Sequence, residues 1–345
     1  KLIARGISDN KAELISRICA IRAIQAARDE FPINIKWIIE GEEEIGSPHL
    51  AGFLAAHREA LRADVAIVSD GAMVAPGTPT ITYGLRGLAY VTVRVRAAGR
   101  DLHSGAYGGG VPNALGALAT LLASLKDADG RVSVEGFYDA VVEIDEEERA
   151  RLAQVPFDRE AFMRDAGVTA TPGEAGRDLL ERLWARPTLD VHGLGGGFTG
   201  AGSKTVIAAE GVAKVSCRLV ADQDPEVVVA QLRRHLEAAA PAGVEVEVTA
   251  EGLGHPVITP LDHDAVRRTA DALERVWGRP VVYARSGGSI PVVVELERVL
   301  GATPVLLDMG LEDDRLHAPN EKFEVVNYLL GIRASAATLL ALAAR

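Results

Sequence analysis

Glu40, Glu42, Glu43 and Glu44 crowd one short stretch, Glu40-Gly41-Glu42-Glu43-Glu44-Ile45-Gly46-Ser47, directly after the apolar run Ile33–Ile39. A solvated acidic turn would look the same, but two further carboxylates argue for chemistry. Asp70 ends another apolar run, in Val68-Ser69-Asp70-Gly71, and Asp9 stands at a helix start. In an open α/β sheet, ligands bind beyond the carboxyl ends of the strands. Carboxylates gathered at such ends repel one another, and a bound cation relieves that repulsion. His317, in Leu316-His317-Ala318-Pro319-Asn320-Glu321, follows a strand by a short acidic loop, and neutral imidazole is the commonest nitrogen ligand for zinc. His103 lies in Asp101-Leu102-His103-Ser104-Gly105 and His255 in Gly254-His255-Pro256. His49, His57, His192, His235 and His263 read as surface or turn residues. Asp262-His263-Asp264 has ligand-like spacing, but its place at a helix start favours capping.

Other catalytic templates are absent. The chain has no GxSxG nucleophile elbow and no HExxH helix. Gly193-Leu194-Gly195-Gly196-Gly197 precedes no strand-to-helix unit, which argues against a phosphate loop. Ser286-Gly287-Gly288-Ser289 lies between a strand and a helix. Its amides could bind an anion, or form only a turn and a cap.

The elements that must hold these residues follow from hydrophobic periodicity. Leu14, Ile15, Ile18, Ile21 and Ile24 have helical spacing within 11–30, with Ser8 and Asp9 ahead of them as capping residues. Ile33–Ile39 and Asp64–Ser69 read as strands with a helix at Leu50–Leu61 between, the rhythm of a parallel sheet with crossover helices. The character changes near Gly84. Leu88–Ala97 is a long alternating strand, a helix at 112–125 opens on Pro112, and the stretch 130–200 is charged and then Gly-rich. Strands at 204–209 and 212–220, a helix opened by Pro225, and a strand at Val244–Val248 complete an α+β module of antiparallel character. From Pro256 the first rhythm returns: helix 262–276, strand 281–285, helix 290–300, strand 304–308 and a terminal helix over 322–343. The expected fold is therefore α/β, a domain with a mostly parallel sheet flanked by helices built from 1–86 and 257–345. An α+β domain spanning 87–256 is inserted into it.

The chain has 345 residues, 48% hydrophobic and 25% charged, which excludes a disordered scaffold. A net charge of −11 argues against a nucleic-acid partner, which needs clustered Lys and Arg. Cys19 and Cys217 cannot build a disulfide framework, so a cytoplasmic, reducing setting is the default. No run of 18 apolar residues is present, so no membrane span is expected. The chain opens Lys1-Leu2-Ile3-Ala4-Arg5 without Met and reads as entered part-way.

Taken in order, several motifs resemble the M20 family of metallopeptidases, nearest its carnosinase-like dipeptidase branch. They are Gly6-Ile7-Ser8-Asp9-Asn10-Lys11, Glu40 to Ser47, Ser69-Asp70, Asp101 to Gly105, Ser216-Cys217-Arg218-Leu219-Val220, Gly287-Gly288-Ser289-Ile290-Pro291 and His317 to Glu321. The resemblance covers essentially the whole chain. It implies two divalent metal ions, zinc foremost with manganese or cobalt as alternatives, held by Asp9 as a bridge, Glu44, Asp70 and His317. Glu43 would be the general base, and His103 would reach across a homodimer to polarise the scissile carbonyl. Arg218 would hold a substrate carboxylate, with Thr205, His255, Gly288 and Ser289 lining the site. The inserted domain would be the lid and dimerisation domain. A metal-activated water has a pKa of roughly 7, Glu43 can take its proton, and a guanidinium offers a carboxylate a two-pronged clamp.

The chain departs from that pattern twice. The family supplies another metal-binding His from a His-x-Asp segment upstream of where this chain starts, so a chain starting at Lys1 is expected to bind metal weakly and turn over little. Ser286 stands where carnosinase-like members carry an acidic residue for a free substrate amine, which leaves room for N-acylated or longer substrates. The expected activity is hydrolysis of dipeptides or short peptides. The rivals are an N-acyl amino-acid deacylase of the same family and a non-catalytic relative with a binding role.

Overall fold

The computed structural model describes residues 1–344; Arg345, the end of the second stretch expected for the first domain, lies outside the described residues. In chain order, α1 (Ala12–Ala27), α2 (Leu50–Ala56), β1 (Val65–Val68) and β2 (Thr80–Leu85) lead into the long strand β3 (Gly87–Arg96). Then come α3 (Ala114–Ala123), β4 (Thr188–Gly196), β5 (Glu210–Leu219), α4 (Pro225–Ala239) and β6 (Glu245–Gly254). The chain ends with β7 (Val257–Ile258), α5 (Asp264–Trp277), β8 (Val282–Ser286), α6 (Pro291–Leu300), β9 (Thr303–Leu306) and α7 (Val325–Ala343).

Two sheets result. The first has the order β7-β2-β9-β1, with β8 also paired to β2. It is mixed: β8·β2 and β9·β1 are parallel, β7·β2 and β9·β2 antiparallel. Helices cover both faces, the α/β arrangement. Val266 and Leu273 of α5 and Ala334 of α7 pack with Ile81 and Val305 in one cluster. Leu50 and Leu54 of α2 meet Leu296 and Leu300 of α6 in another. The second sheet, β6-β3-β5-β4, is wholly antiparallel. The alternation of β3 puts Ala89, Val91, Val93 and Val95 on one face, where Leu118 and Leu121 of α3 and Leu232 and Leu236 of α4 cover them. The opposite face is polar, with ion pairs such as Lys214–Glu251 and Arg94–Glu210.

Several local expectations shift. Ile33–Ile39 forms no strand and pairs with none. A cavity of about 1800 Å3 lies between it, β1 and α1; without a neighbour to take its N–H and C=O groups, an apolar run cannot become a sheet member. The helix expected over Leu50–Leu61 breaks at His57 into Leu50–Ala56 and Arg58–Leu61. α3 is capped by Asn113, whose side chain accepts from the amides of Leu115 and Gly116, and Pro112 falls outside it. The strand expected over 204–209 is only Val206–Ile207. β4, inside the charged stretch, was not expected at all; its three glycines hide the alternation that marks a strand. His263 caps α5 as expected, its Nδ1 accepting from the amide of Ala265 at 3.3 Å. α7 is 19 residues long and holds an 18-residue window of mean hydropathy 1.5, long and apolar enough by composition alone to cross a membrane. It is nonetheless a packing helix: Asn327, Gly331, Ala334, Ser335 and Thr338 form a buried face of small side chains towards α1 and α5.

Candidate metal centre and active site

Three loops bring the first group of expected residues together. The loop before α1 turns at Gly6, whose φ of +71° a side-chain-bearing residue rarely adopts, and presents Asp9. A short 3-10 turn at Glu43–Ile45 presents Glu43 and Glu44. The loop after β9 presents His317. Its Nε2 lies 2.8 Å from Asp9 Oδ2 and 2.9 Å from Glu44 Oε2. One donor atom from each of Asp9, Glu44 and His317 lies within 4.8 Å of the others. Two carboxylate oxygens and an imidazole nitrogen fit zinc, and equally manganese or cobalt.

Asp70 sits one layer further in, beyond the end of β1. It accepts from Asn10 Nδ2 at 3.3 Å, and Asn10 also donates to the carbonyl of Ser69. Burial, and then the charge of Asp9, push the Asp70 carboxyl above its ordinary range. Glu43 is pushed up as well, first by burial and then by Asp70, Asp9, Glu44 and Glu40. The cluster is therefore short of positive charge, the condition a bound cation relieves. Glu43 and Glu44 diverge as adjacent residues must, so one can face a metal while the other faces a water.

The support of this cluster went largely unread in the sequence. Glu321 is almost fully buried and accepts backbone N–H groups from Gly6 at 2.7 Å, Ser8 at 2.9 Å and Asp9 at 3.0 Å, with Arg5 Nη1 at 3.2 Å. Burial alone would raise its pKa, but the amides of Asp9, Gly6 and Ser8 and the Arg5 guanidinium outweigh it and hold the carboxyl below the usual range. Glu321 thus ties the Asp9 loop to the His317 loop, in which Arg315, His317 and Asn320 all have φ near +60°. Such backbones cost about 1–3 kcal/mol each and persist only where the surroundings hold them. Asp314, bonded to Ser8 Oγ and Lys322 Nζ, is a second tie. Beneath Asp70 lies a fully buried group. Asp308 accepts from the Asp70 amide and from Thr82 Oγ1, while Glu13 accepts from the Met309 amide. The only sequence signal for Glu321 was its place in the His317-Ala318-Pro319-Asn320-Glu321 motif.

The second group of expected residues lies on the inserted sheet and its junction with the first. Thr188, Arg218, Leu88 and Gly254 stand in one row across β4, β5, β3 and β6. Arg218 Nη1 donates to Ser289 Oγ at 3.0 Å, so Arg218 and the Gly287–Ser289 loop meet as expected. Gly288 donates to Ser286 Oγ at 3.1 Å, and its carbonyl accepts from the Arg86 amide at 3.0 Å. His255 follows Gly254 but lies 3.8 Å from Glu226 beside the cap of α4, grouped with Asp224 and Glu226 rather than with Arg218. His103 and Thr205 are neighbours: Leu102–His103 pairs with Val206–Ile207, and the Ser104 amide donates to the Thr205 carbonyl. Both are exposed, and neither has a hydrogen bond or ion pair to the carboxylate cluster among the described residues.

The comparisons with known proteins agree on one kind of relative. Peptidase family M20/M25/M40 matches residues 1–341. A human protein named Beta-Ala-His dipeptidase is 34% identical over 348 residues, covering 99% of this chain and 69% of its own. Cys-Gly metallodipeptidase dug1 of Schizosaccharomyces pombe is 32% identical over 338 residues, covering 96% of this chain and 71% of its own. Among solved structures, an M20 family metallo-carboxypeptidase from Sulfolobus solfataricus superposes with TM-score 0.86 at 34% identity, over 98% of this chain and 76% of that one.

Proposed function

The chain belongs to peptidase family M20/M25/M40 and is a metal-dependent hydrolase of dipeptides or short peptides, and we propose that Asp9, Glu44, Asp70 and His317 hold its metal and Glu43 is its general base. The convergence of Asp9, Glu44 and His317 from three separate loops carries this reading. Two divalent cations, zinc foremost, would supply Lewis acidity and lower the pKa of a water to about 7. Glu43 stands beside the cage without belonging to it. Its raised pKa suits a base that accepts a proton from water and then returns it to the leaving amine. Glu321 holds the backbone of the Asp9 loop through the Asp9 amide, and Asn10 holds the Asp70 side chain. Arg218, with Ser289 and Gly288, would orient a peptide by its terminal carboxylate.

Residues 87–256 form the lid and dimerisation domain, and 1–86 with 257–345 the catalytic domain. The exposed His103 reaches the scissile carbonyl of the partner protomer's site in a homodimer. What supports it is that the exposed His103 makes no hydrogen bond or ion pair to the carboxylate cluster of its own chain among the described residues. Two unpaired cysteines, Cys217 buried, suit a reducing cytoplasm. The test is hydrolysis by zinc-loaded protein of Ala-Ala against N-acetyl-alanine. Release of free alanine from the dipeptide at a rate at least tenfold higher supports the peptidase reading. The reverse preference would move the chain to the deacylases, and no hydrolysis of either by metal-replete protein would refute the catalytic assignment.

A further inference from the structure

Arg218 has a companion. Arg86 occupies the single position between β2 and β3, where the chain passes from one sheet to the other. Its amide donates to Gly288 O, its carbonyl accepts from Ser289 Oγ at 2.5 Å, and its Nε donates to Gly287 O at 3.0 Å. Its Nη1 reaches Arg186 O at 3.5 Å. Two guanidinium groups therefore rim the same three-residue loop. Gly287 permits this: a Cβ there would sit 3.0 Å from Arg86 Nη2 and 3.1 Å from Leu183 O.

Neither guanidinium has a carboxylate within ion-pair distance among the described residues. Nη2 of Arg86 carries no hydrogen bond to the protein among the described residues. The contrast with the neighbouring Arg186 is direct. That side chain is buried and neutralised by Glu174, through Nε at 2.8 Å and Nη2 at 2.7 Å, and by Glu143. In a chain with 48 acidic and 37 basic residues, two half-buried cations left side by side without an anion are an exception that needs a reason. Burial, and then the charge of Arg218, push the Arg86 pKa down to about 10 against the pull of Asp190. An anion placed between the two would remove that mutual repulsion.

We propose that Arg86 and Arg218 form a two-cation subsite for the carboxyl end of the substrate, selecting peptides whose last residue carries a second carboxylate, Asp or Glu. One terminal carboxylate neutralises only one of the two charges. A dicarboxylate end neutralises both, with charge-assisted N–H···O bonds from the N–H groups each guanidinium has left over. This rests on the peptidase reading above and names the class of substrate for it.

The test compares Ala-Glu with Ala-Ala on zinc-loaded protein, wild type and Arg86→Met, beside calorimetric binding of glutarate and acetate, which needs no turnover. Wild type is expected to show at least tenfold higher kcat/KM for Ala-Glu, carried mainly by KM because the contact is equal in ground and transition states. Arg86→Met is expected to bring the two peptides within about threefold of each other and to weaken glutarate about tenfold while barely moving acetate. Arg86→Lys keeps a cation and covers the case in which the Met variant melts early; it is expected to retain part of the Glu preference. Equal wild-type rates for the two peptides, with hydrolysis intact, would overturn the proposal and leave the peptidase reading standing. So would a Glu preference or glutarate affinity that survives in Arg86→Met. If neither peptide is cleaved, the peptidase reading fails, and glutarate binding that ignores Arg86 would then dismiss the subsite as well.

Discussion

Replacing Glu321 by Gln should separate the scaffold of the metal site from its chemistry. The carboxylate accepts three backbone N–H groups and Arg5. Gln keeps one oxygen, able to serve Ser8 and Asp9. It turns an amide NH2 towards Gly6 N–H and the Arg5 guanidinium, so two acceptor contacts become donor against donor. Hydrogen bonds to a charged group are worth about 1.5–3 kcal/mol each. Arg5 is largely exposed and screened, so its share is discounted. The remainder is about 2–4 kcal/mol, most of it from the Gly6 amide left unpaired in a buried setting. Because Gly6 and Asp9 belong to one loop, the same change should displace Asp9 and weaken zinc about 10–100-fold, the usual effect of losing a group that orients a ligand. Urea unfolding of metal-free protein measures the first effect and zinc calorimetry the second. The pH dependence has a definite sign. Glu321 is held below the usual carboxylate range, so its stabilisation is present above the unfolded pKa of about 4.3 and is lost as pH falls through the folded value. The advantage of wild type over Glu321→Gln should therefore shrink from pH 6 to pH 3. A variant that unfolds within about 0.5 kcal/mol of wild type and binds zinc equally well would refute the assignment of Glu321 as the tie between the two loops.

Glu43→Gln should lower kcat by about 10²–10⁴-fold, the span of a general base, while zinc affinity by calorimetry stays near wild type; loss of metal together with activity would make Glu43 a ligand instead. Burial, ahead of the charge of Glu13, pushes Asp308 up to about 7. The sign is opposite to that of Glu321. Metal-free protein should lose stability as pH rises from about 4 to 7, and Asp308→Asn should flatten that slope in urea titrations at successive pH values.

Part of this molecule was legible in its residues because the signals were local. The antiparallel core of the inserted sheet follows from alternation in Leu88–Ala97, and α4 and α5 from Pro225 and His263 at their starts. Each of these depends on atoms within a few residues, so sequence suffices. Ile33–Ile39 shows where that stops. It has the composition of a strand, but a strand is a relation between two segments, and its pairing partner is not visible in its own residues. β4 failed in the other direction, its glycines masking a strand that its neighbour β5 completes.

The same division runs through the site. Residue type left Asp9, Glu43, Glu44, Asp70 and His317 open between a solvated acidic turn and a metal site; it was the order of the motifs, and the M20 resemblance they carry, that marked them. Their meeting was a tertiary event: 308 positions separate Asp9 from His317 along the chain, yet 2.8 Å separates their side chains. Asp308 and Arg86 gave no signal in the sequence for the same reason, and Glu321 only its place in the His317–Glu321 motif. A buried carboxylate is defined by the amides that surround it, and a guanidinium left without an anion is defined by what is not beside it. Both are properties of the assembled neighbourhood, and burial and partners come into being only when distant segments pack.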